Sequence, residues 1–164
     1  MATQLRVIHY LNQFFGGIGG EDKADARPAM KTGPVGPGVL LQKYLGDGAE
    51  VVATVICGDS YINEHTDEAL AEVLKLIAAQ RPDVVVAGPA FAAGRYGVAC
   101  GAVCKAVKEQ LKLPAVTAMF SENPGVELYR RHTYILPAGN TAIDMAGVMA
   151  RLAPFALKLG RGEI

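Results

Sequence analysis

Short apolar runs alternate along this chain with longer stretches in which apolar residues recur at helical spacing. Runs rich in Val, Ile or Tyr and bounded by Gly, Pro or Asp are typical of buried β-strands. They predict five strands, over residues 5–10, 50–57, 83–87, 115–118 and 133–136. The helical stretches predict helices over residues 37–45, 66–80, 96–111, 123–130 and 140–159.

The repeated strand–helix order predicts an α/β fold, because parallel strands need helical crossovers that cover both faces of the sheet. We expect a single domain over residues 1–164. Its core would be a doubly wound sheet of the Rossmann-like or flavodoxin-like kind, mostly parallel and five-stranded. The helix over residues 66–80 is the clearest, because a Thr66 cap opens it and Arg81 and Pro82 end it.

Polar residues cluster just after the predicted strands. In a parallel sheet the carboxyl ends of the strands meet at one edge, and ligands bind there. The most distinctive segment is the glycine-rich loop over residues 16–25, which also carries acids and a lysine. The residues that we expect to form a site at this edge are Asn12, Gly19, Gly20, Glu21, Cys57, Asp59, Arg95, Tyr96, Glu122 and Asn123.

Charge and composition narrow the possible partners. The 16 Lys and Arg residues balance the 16 Asp and Glu residues, and no segment concentrates positive charge, so we expect no nucleic-acid partner. No signal-peptide pattern opens the chain, and its longest weakly charged stretch contains Pro89 and Arg95. We therefore expect a cytoplasmic protein that does not enter a membrane.

Common cofactor motifs are not met by this sequence. The glycine loop does not fit the dinucleotide pattern G-x-G-x-x-G, and no P-loop is present. Its acids would repel phosphate, which favours a small amine-bearing ligand. Cys100 and Cys104 share a helix face, but no histidine stands near them, so we expect no metal site.

Several of these residues also have a structural interpretation. Arg95 is as well suited to an ion pair with a nearby acid as to binding an anion. Glu21 is typical of a solvated loop, and Cys57 is more typical of a small buried side chain than of a reactive thiol. The sequence leaves these alternatives open.

Longer motifs carry a family resemblance. They are VIHYLNQFFGGIGGEDKAD (residues 7–25), the glycine-rich segment 33–38, VATVICGD (52–59), AGPAF (87–91), AGRYG (93–97), PAVT (114–117) and ENPG (122–125). In this order the chain resembles the N-terminal part of the component B selenoprotein subunit of glycine, sarcosine and betaine reductases, a group that extends to D-proline-type enzymes.

The resemblance implies an oxidoreductase that cleaves a C–N bond of a small amine or amino acid. It implies no cofactor in this chain. Instead, a selenocysteine or cysteine redox centre and a pyruvoyl group are expected on partner subunits of a homo- or hetero-oligomer. The chain contains no C-x-x-C motif, so we expect it to be inactive alone and its nucleophile to come from another segment or chain.

Residue roles follow from placement together with this resemblance. We expect Glu21 and Asp59 to receive the positive end of the substrate or to move protons, and Arg95 to bind its carboxylate. Tyr96, Glu122 and Asn123 would complete the pocket, with Asn12, Gly19 and Gly20 beside them. One alternative is a selenium-independent relative that cleaves C–N or C–S bonds with Cys57. Another is a non-catalytic subunit that binds substrate or scaffolds its partners.

Overall fold

A computed structural model describes residues 4–164, which form a six-stranded sheet with helices on both faces. The strands are β1 (Leu5–Asn12), β2 (Ala29–Thr32), β3 (Ala49–Cys57), β4 (Val84–Ala87), β5 (Ala115–Phe120) and β6 (Tyr134–Ala138). Their order across the sheet is β2-β3-β1-β4-β5-β6. Strand β2 runs antiparallel to β3, and all other neighbours are parallel.

The connections between the strands are mainly helical. The helices are α1 (Gly38–Leu45), α2 (Asp59–Glu64), α3 (Thr66–Ala79), α4 (Gly94–Ala106), α5 (Pro124–Tyr129) and α6 (Met145–Gly160). Helix α4 continues as a π-helical turn over Val107–Leu111, and short 3-10 turns lie at Glu21–Lys23, Gly46–Gly48 and Ala142–Asp144. Among the described residues, no helix is long and apolar enough to cross a membrane.

Alternate residues of β1 point to opposite faces of the sheet, as the two-residue period of a strand requires. Ile8 and Tyr10 belong to the core that α2, α3 and α4 cover, whereas Val7 belongs to the core beneath α1 and α6. Because both of its faces are covered, β1 is apolar along most of its length rather than alternating. Its buried carboxyl end carries Asn12 into the loops above the sheet.

The mostly parallel α/β sheet is confirmed, but the predicted number of strands is wrong. The sixth strand is β2, an exposed antiparallel edge strand that the sequence analysis did not predict. All four of its residues are exposed, so it has no buried face and no apolar alternation. The six-residue helix α2 was likewise missed inside the polar segment after β3, and the last helix begins at Met145 rather than at Asn140.

Strand β1 marks the place where the connections change direction. The chain first builds β3 on one side of β1 and then crosses over to place β4 on its other side. The loops that follow β1 and β4 therefore diverge above the sheet. A crevice at such a point, outside the carboxyl ends of the strands, is where open α/β sheets bind ligands.

Candidate functional site

A cavity of about 510 Å³ lies where the connections change direction, above the carboxyl ends of β1 and β4. It is formed by the loop after β1, the start of α2, the loop between β4 and α4, and the loop after β6. The polar and aromatic side chains that line it are Asn12, Gln13, Phe14, Phe15, Glu21, Asp59, Phe91, Arg95, Tyr96, Asn140 and Thr141.

Asp59 is the acid at the floor of this cavity. It is the first residue of α2 and only 5% exposed. Asn12 Nδ2 donates a hydrogen bond to its Oδ2 atom over 3.0 Å, and the Asp59 backbone N–H donates to Gln13 Oε1 over 3.0 Å. Burial raises the pKa of Asp59 to about 6, although the Asn12 hydrogen bond and the Arg95 charge oppose this rise. The carboxyl group can therefore gain or lose a proton close to neutral pH.

Arg95 and Glu21 form an ion pair at the mouth of the cavity. Arg95 stands in the first turn of α4, and its guanidinium also donates to the Ser60 hydroxyl. Glu21 begins the 3-10 turn in the glycine-rich loop. Both side chains remain substantially exposed, at 47% and 72%. The two charges that the sequence analysis assigned to opposite ends of a substrate thus meet each other.

The first turn of α4 adds backbone donors to the same wall. The N-cap residue Ala93 offers no side-chain hydrogen bond, and the first intrahelical bond runs from Gly97 N–H to the Ala93 carbonyl over 2.8 Å. The N–H groups before Gly97 therefore lack intrahelical acceptors, and they carry the partial positive charge of a helix N-terminus. Together with Arg95, this end of the cavity favours an anionic group.

Three aromatic rings line one side of the cavity. The ring of Phe15 lies 5.9 Å from that of Tyr96 and 6.4 Å from that of Phe91, measured between centroids. Phe91 adopts a left-handed backbone conformation, with φ of 53°. Such a conformation in a bulky residue requires support from its surroundings. Here the Phe91 carbonyl accepts hydrogen bonds from Phe120 N–H and from Asn123 Nδ2, each over 2.9 Å.

Asn123 is buried behind this wall rather than in it. Its Oδ1 atom caps α5 by accepting from Gly125 N–H, and its Nδ2 atom donates to the carbonyls of Phe91 and Ala93. It packs directly against Gly97, where any side chain would collide with it. The neighbouring Glu122 lines a separate cavity of about 360 Å³. The structure therefore does not bring Glu122 and Asn123 into the main cavity.

The three cysteine thiols do not line the cavity either. Cys57 is fully buried, and burial raises the pKa of its thiol to about 12, with the charges of Asp59 and Glu72 adding to the effect. Burial likewise raises the pKa of Cys104 to about 12 and that of Cys100 well above its ordinary value. A thiol in this environment stays protonated and is a poor nucleophile. Within residues 4–164, no cluster of His, Cys, Asp and Glu side chains is suited to a metal ion.

The comparison with known families decides which group of proteins this arrangement belongs to. The family described as glycine/sarcosine/betaine reductase selenoprotein B matches residues 4–164. The chain belongs to this family.

Curated relatives of the chain include subunits of all three kinds of reductase complex. It is 56% identical over 159 residues to the glycine reductase complex component B subunit gamma of Symbiobacterium thermophilum, which covers 97% of the chain and 37% of the relative. It is 54% identical over 161 residues to the sarcosine reductase complex component B subunit beta of Peptoclostridium acidaminophilum, and this match covers 98% of the chain and 37% of the relative. It is also 46% identical over 158 residues to the betaine reductase complex component B subunit beta of the same organism, and this match covers 96% of the chain and 36% of the relative.

The chain thus spans little more than a third of the length of the relatives it matches. No solved structure matches it.

The sequence analysis predicted some of the residues that line this cavity and missed others. Asn12, Gly20, Glu21, Asp59, Arg95 and Tyr96 all line it, whereas Gly19 and Cys57 do not. The missed lining residues include Gln13, Phe15 and Phe91, which stand in loops beside residues that were singled out. Their position directly after β1 and β4 was an available signal, but the sequence analysis assigned no ligand contact to Gln13 or to these apolar side chains.

Proposed function

We propose that the cavity binds a small amino acid or N-methylated amine whose C–N bond a reductase complex cleaves. The main support for this proposal is that one crevice holds groups suited to both a negative and a positive charge. Arg95 and the N-terminus of α4 suit a carboxylate, and Asp59 suits an ammonium group. The aromatic side formed by Phe15, Phe91 and Tyr96 is compatible with a cation as well, since a ring face attracts positive charge.

The chain's own residues would bind, orient and protonate the substrate. When the C–N bond breaks, the amine leaves with the bonding electron pair and takes up a proton, while the carbon bonds to an external nucleophile. Asp59 would bind the ammonium group as a carboxylate, and it could relay the proton that the departing amine takes up, because its carboxyl group titrates near neutral pH at the cavity floor. A selenol or thiol on another segment or chain would supply the nucleophile, with a pyruvoyl group on a partner subunit. We propose a doubly wound, flavodoxin-like fold for this part of the complex.

Placing the nucleophile elsewhere agrees with the burial of the three cysteines. For the alternative in which Cys57 attacks the substrate, its thiol would have to ionise inside the core, where its pKa is about 12. A non-catalytic subunit that binds substrate remains the second candidate, because the cavity offers binding groups while all three thiols are buried. The two differ in whether amine is released once partner subunits are added.

Calorimetric titration of the full chain with glycine, sarcosine and betaine tests the binding step. We expect at least one of the three to bind. Arg95→Ala should weaken that binding by about tenfold or more, since a charge-assisted hydrogen bond contributes roughly 1.5–3 kcal/mol. Glu21→Gln tests the acid that pairs with Arg95 at the mouth of the cavity. Arg27→Ala serves as the control, because Arg27 pairs with Glu72 away from the cavity lining. Unchanged affinity in both Glu21→Gln and Arg95→Ala would contradict this assignment.

A further inference from the structure

Gln13 is a buried amide that directly follows β1 and lines the main cavity. Its side chain and backbone are only 4% exposed. The Gln13 backbone carbonyl accepts hydrogen bonds from Ile18 N–H over 3.0 Å and from Gly19 N–H over 3.3 Å. Its side-chain Oε1 atom accepts from Asp59 N–H over 3.0 Å. Both the main chain and the side chain of this residue are therefore held in place.

The bond to Asp59 determines which way the Gln13 amide faces. Only an oxygen can accept from a backbone N–H, so the reversed amide would set two donors against each other. The NH2 group therefore lies away from Asp59 N–H. Within residues 4–164, no acceptor of the protein lies within hydrogen-bond distance of Gln13 Nε2. This nitrogen is not one of the unpartnered atoms sealed inside the core, so it is open to the cavity that Gln13 lines.

Other amides of the chain use their NH2 groups inside the protein. Gln42 has the same arrangement at its oxygen, because its Oε1 atom accepts from Val51 N–H over 2.7 Å. Its Nε2 atom, however, donates to the Ala49 carbonyl over 2.9 Å. The buried Asn123 likewise donates to two backbone carbonyls. Compared with these side chains, Gln13 keeps a fixed pair of N–H donors for a group that enters the cavity.

We propose that the Gln13 NH2 group donates a hydrogen bond to the carboxylate of the bound substrate and thereby helps to select ligands that carry one. The inference rests on the proposed function. In glycine, sarcosine and betaine the charged nitrogen has no lone pair, so the carboxylate is the only acceptor that such a ligand offers. An amide supplies this donor without a positive charge, so it does not repel the ammonium group that Asp59 would hold.

The carboxylate would then meet donors from two neighbouring loops. Gln13 stands after β1, whereas Arg95 and the first N–H groups of α4 stand after β4, and these two strands are adjacent in the sheet. Arg95 contributes a charge at the mouth, and Gln13 contributes a buried, oriented donor. An amine that lacks a carboxylate would leave the Gln13 donors without a partner, which disfavours its binding.

Calorimetric titration of the full chain with glycine, sarcosine and betaine tests the contact. Gln13→Glu keeps an oxygen for Asp59 N–H and replaces the NH2 group by a second carboxylate oxygen, so it should weaken binding of the accepted ligand by about tenfold or more. Gln13→Met removes the amide without adding charge, and it should weaken binding as well. Gln42→Glu makes the same replacement outside the cavity lining and should bind as the wild type does. Wild-type affinity in Gln13→Met would overturn the proposal, because any loss in Gln13→Glu would then come from the added charge.

Nitrogen–proton correlation spectra of the wild-type chain separate a ligand contact from a structural role. The NH2 protons of Gln13 should move downfield when the accepted ligand is added, whereas those of Gln42 should stay in place. Binding seen by calorimetry with no change in the Gln13 signals would overturn this inference and leave the proposed function standing. If none of the three compounds binds to the wild-type chain, the proposed function fails and this inference fails with it. The spectra use the wild-type protein, so they decide the question even if a variant does not fold.

Discussion

Arg95 and Glu21 are 74 positions apart in the sequence, and they pair across the mouth of the cavity. The pair joins the first turn of α4 to the glycine-rich loop. In the proposed binding mode, a carboxylate ligand would compete with Glu21 for the Arg95 guanidinium. Ligand binding would then be coupled to release of the loop that carries Glu21.

Breaking this pair should change the stability of the chain very little. Both side chains are substantially exposed, and such ion pairs contribute about 0–1 kcal/mol. We expect Arg95→Ala and Glu21→Gln each to lower the free energy of unfolding by no more than about 1 kcal/mol in urea titrations. A loss of several kcal/mol in either variant would show that the pair holds the fold together.

Replacing Asp59 should stabilise the protein above pH 6. The pKa of this carboxyl group is about 6 in the folded state against 3.8 as its ordinary value, so between these pH values the folded state holds more protons. Stability from Asp59 is thus present below pH 3.8 and is lost as pH rises through 6, a difference of about 3 kcal/mol. Asp59→Asn should exceed the wild type in stability by up to that amount at pH 7.

The advantage of Asp59→Asn should vanish below pH 4, which urea unfolding at a series of pH values can follow. If the variant were less stable than the wild type at pH 7, the hydrogen bond from Asn12 and the charge of Arg95 would outweigh the cost of burying the Asp59 carboxylate.

His9 has the opposite pH dependence. It is fully buried beneath α1 on β1, and its Nε2–H donates to the Gly88 carbonyl over 2.7 Å. Burial lowers the pKa of His9 from 6.5 to about 4, so between these values the unfolded state holds more protons. Stability from neutral His9 is present above pH 6.5 and is lost as pH falls through 4, a change of about 3 kcal/mol.

In His9→Gln, the stability deficit relative to the wild type should therefore be largest above pH 6.5 and shrink by about that amount toward pH 4. Denaturation curves at pH 4, 5, 6 and 7 check this. A deficit that stays constant across the range would mean that His9 is not held neutral by burial.

Asn123 should matter for the shape of the cavity rather than for direct ligand contact. Asn123→Asp keeps an oxygen to cap α5 but loses the Nδ2 donor to the carbonyls of Phe91 and Ala93. Two carbonyl partners are then lost, so we expect destabilisation of about 2–4 kcal/mol. Urea unfolding measures the loss. A variant as stable as the wild type would show that water replaces the amide and that the loop after β4 does not depend on Asn123.

The sequence predicts the framework because strands buried on both faces have an unmistakable apolar pattern. Strands β1, β3 and β4 were predicted within two residues of their bounds for this reason. Strand β2 could not be predicted in the same way, since its pairing with β3 uses backbone groups alone and leaves all four side chains exposed. The six-residue helix α2 is too short to show a helical period.

The candidate site was predictable only as a set of loops. Residue types and strand ends indicated Asp59 and Arg95, and both line the cavity. The Arg95–Glu21 pair and the capping role of Asn123 depend on how distant loops meet, which no local pattern encodes. The Asp59 pKa depends on burial in the folded chain, so the sequence alone could not indicate it.

Amine release by the reconstituted reductase complex tests whether this cavity binds the substrate. Complexes containing the wild-type chain, Arg95→Ala or Arg27→Ala would be compared with glycine, sarcosine and betaine as substrates. We expect Arg95→Ala to lower kcat/KM by about tenfold or more for the substrate that the complex accepts, while Arg27→Ala keeps the wild-type value. Equal kcat/KM for the wild type and Arg95→Ala with every accepted substrate would contradict the claim that this cavity binds the substrate.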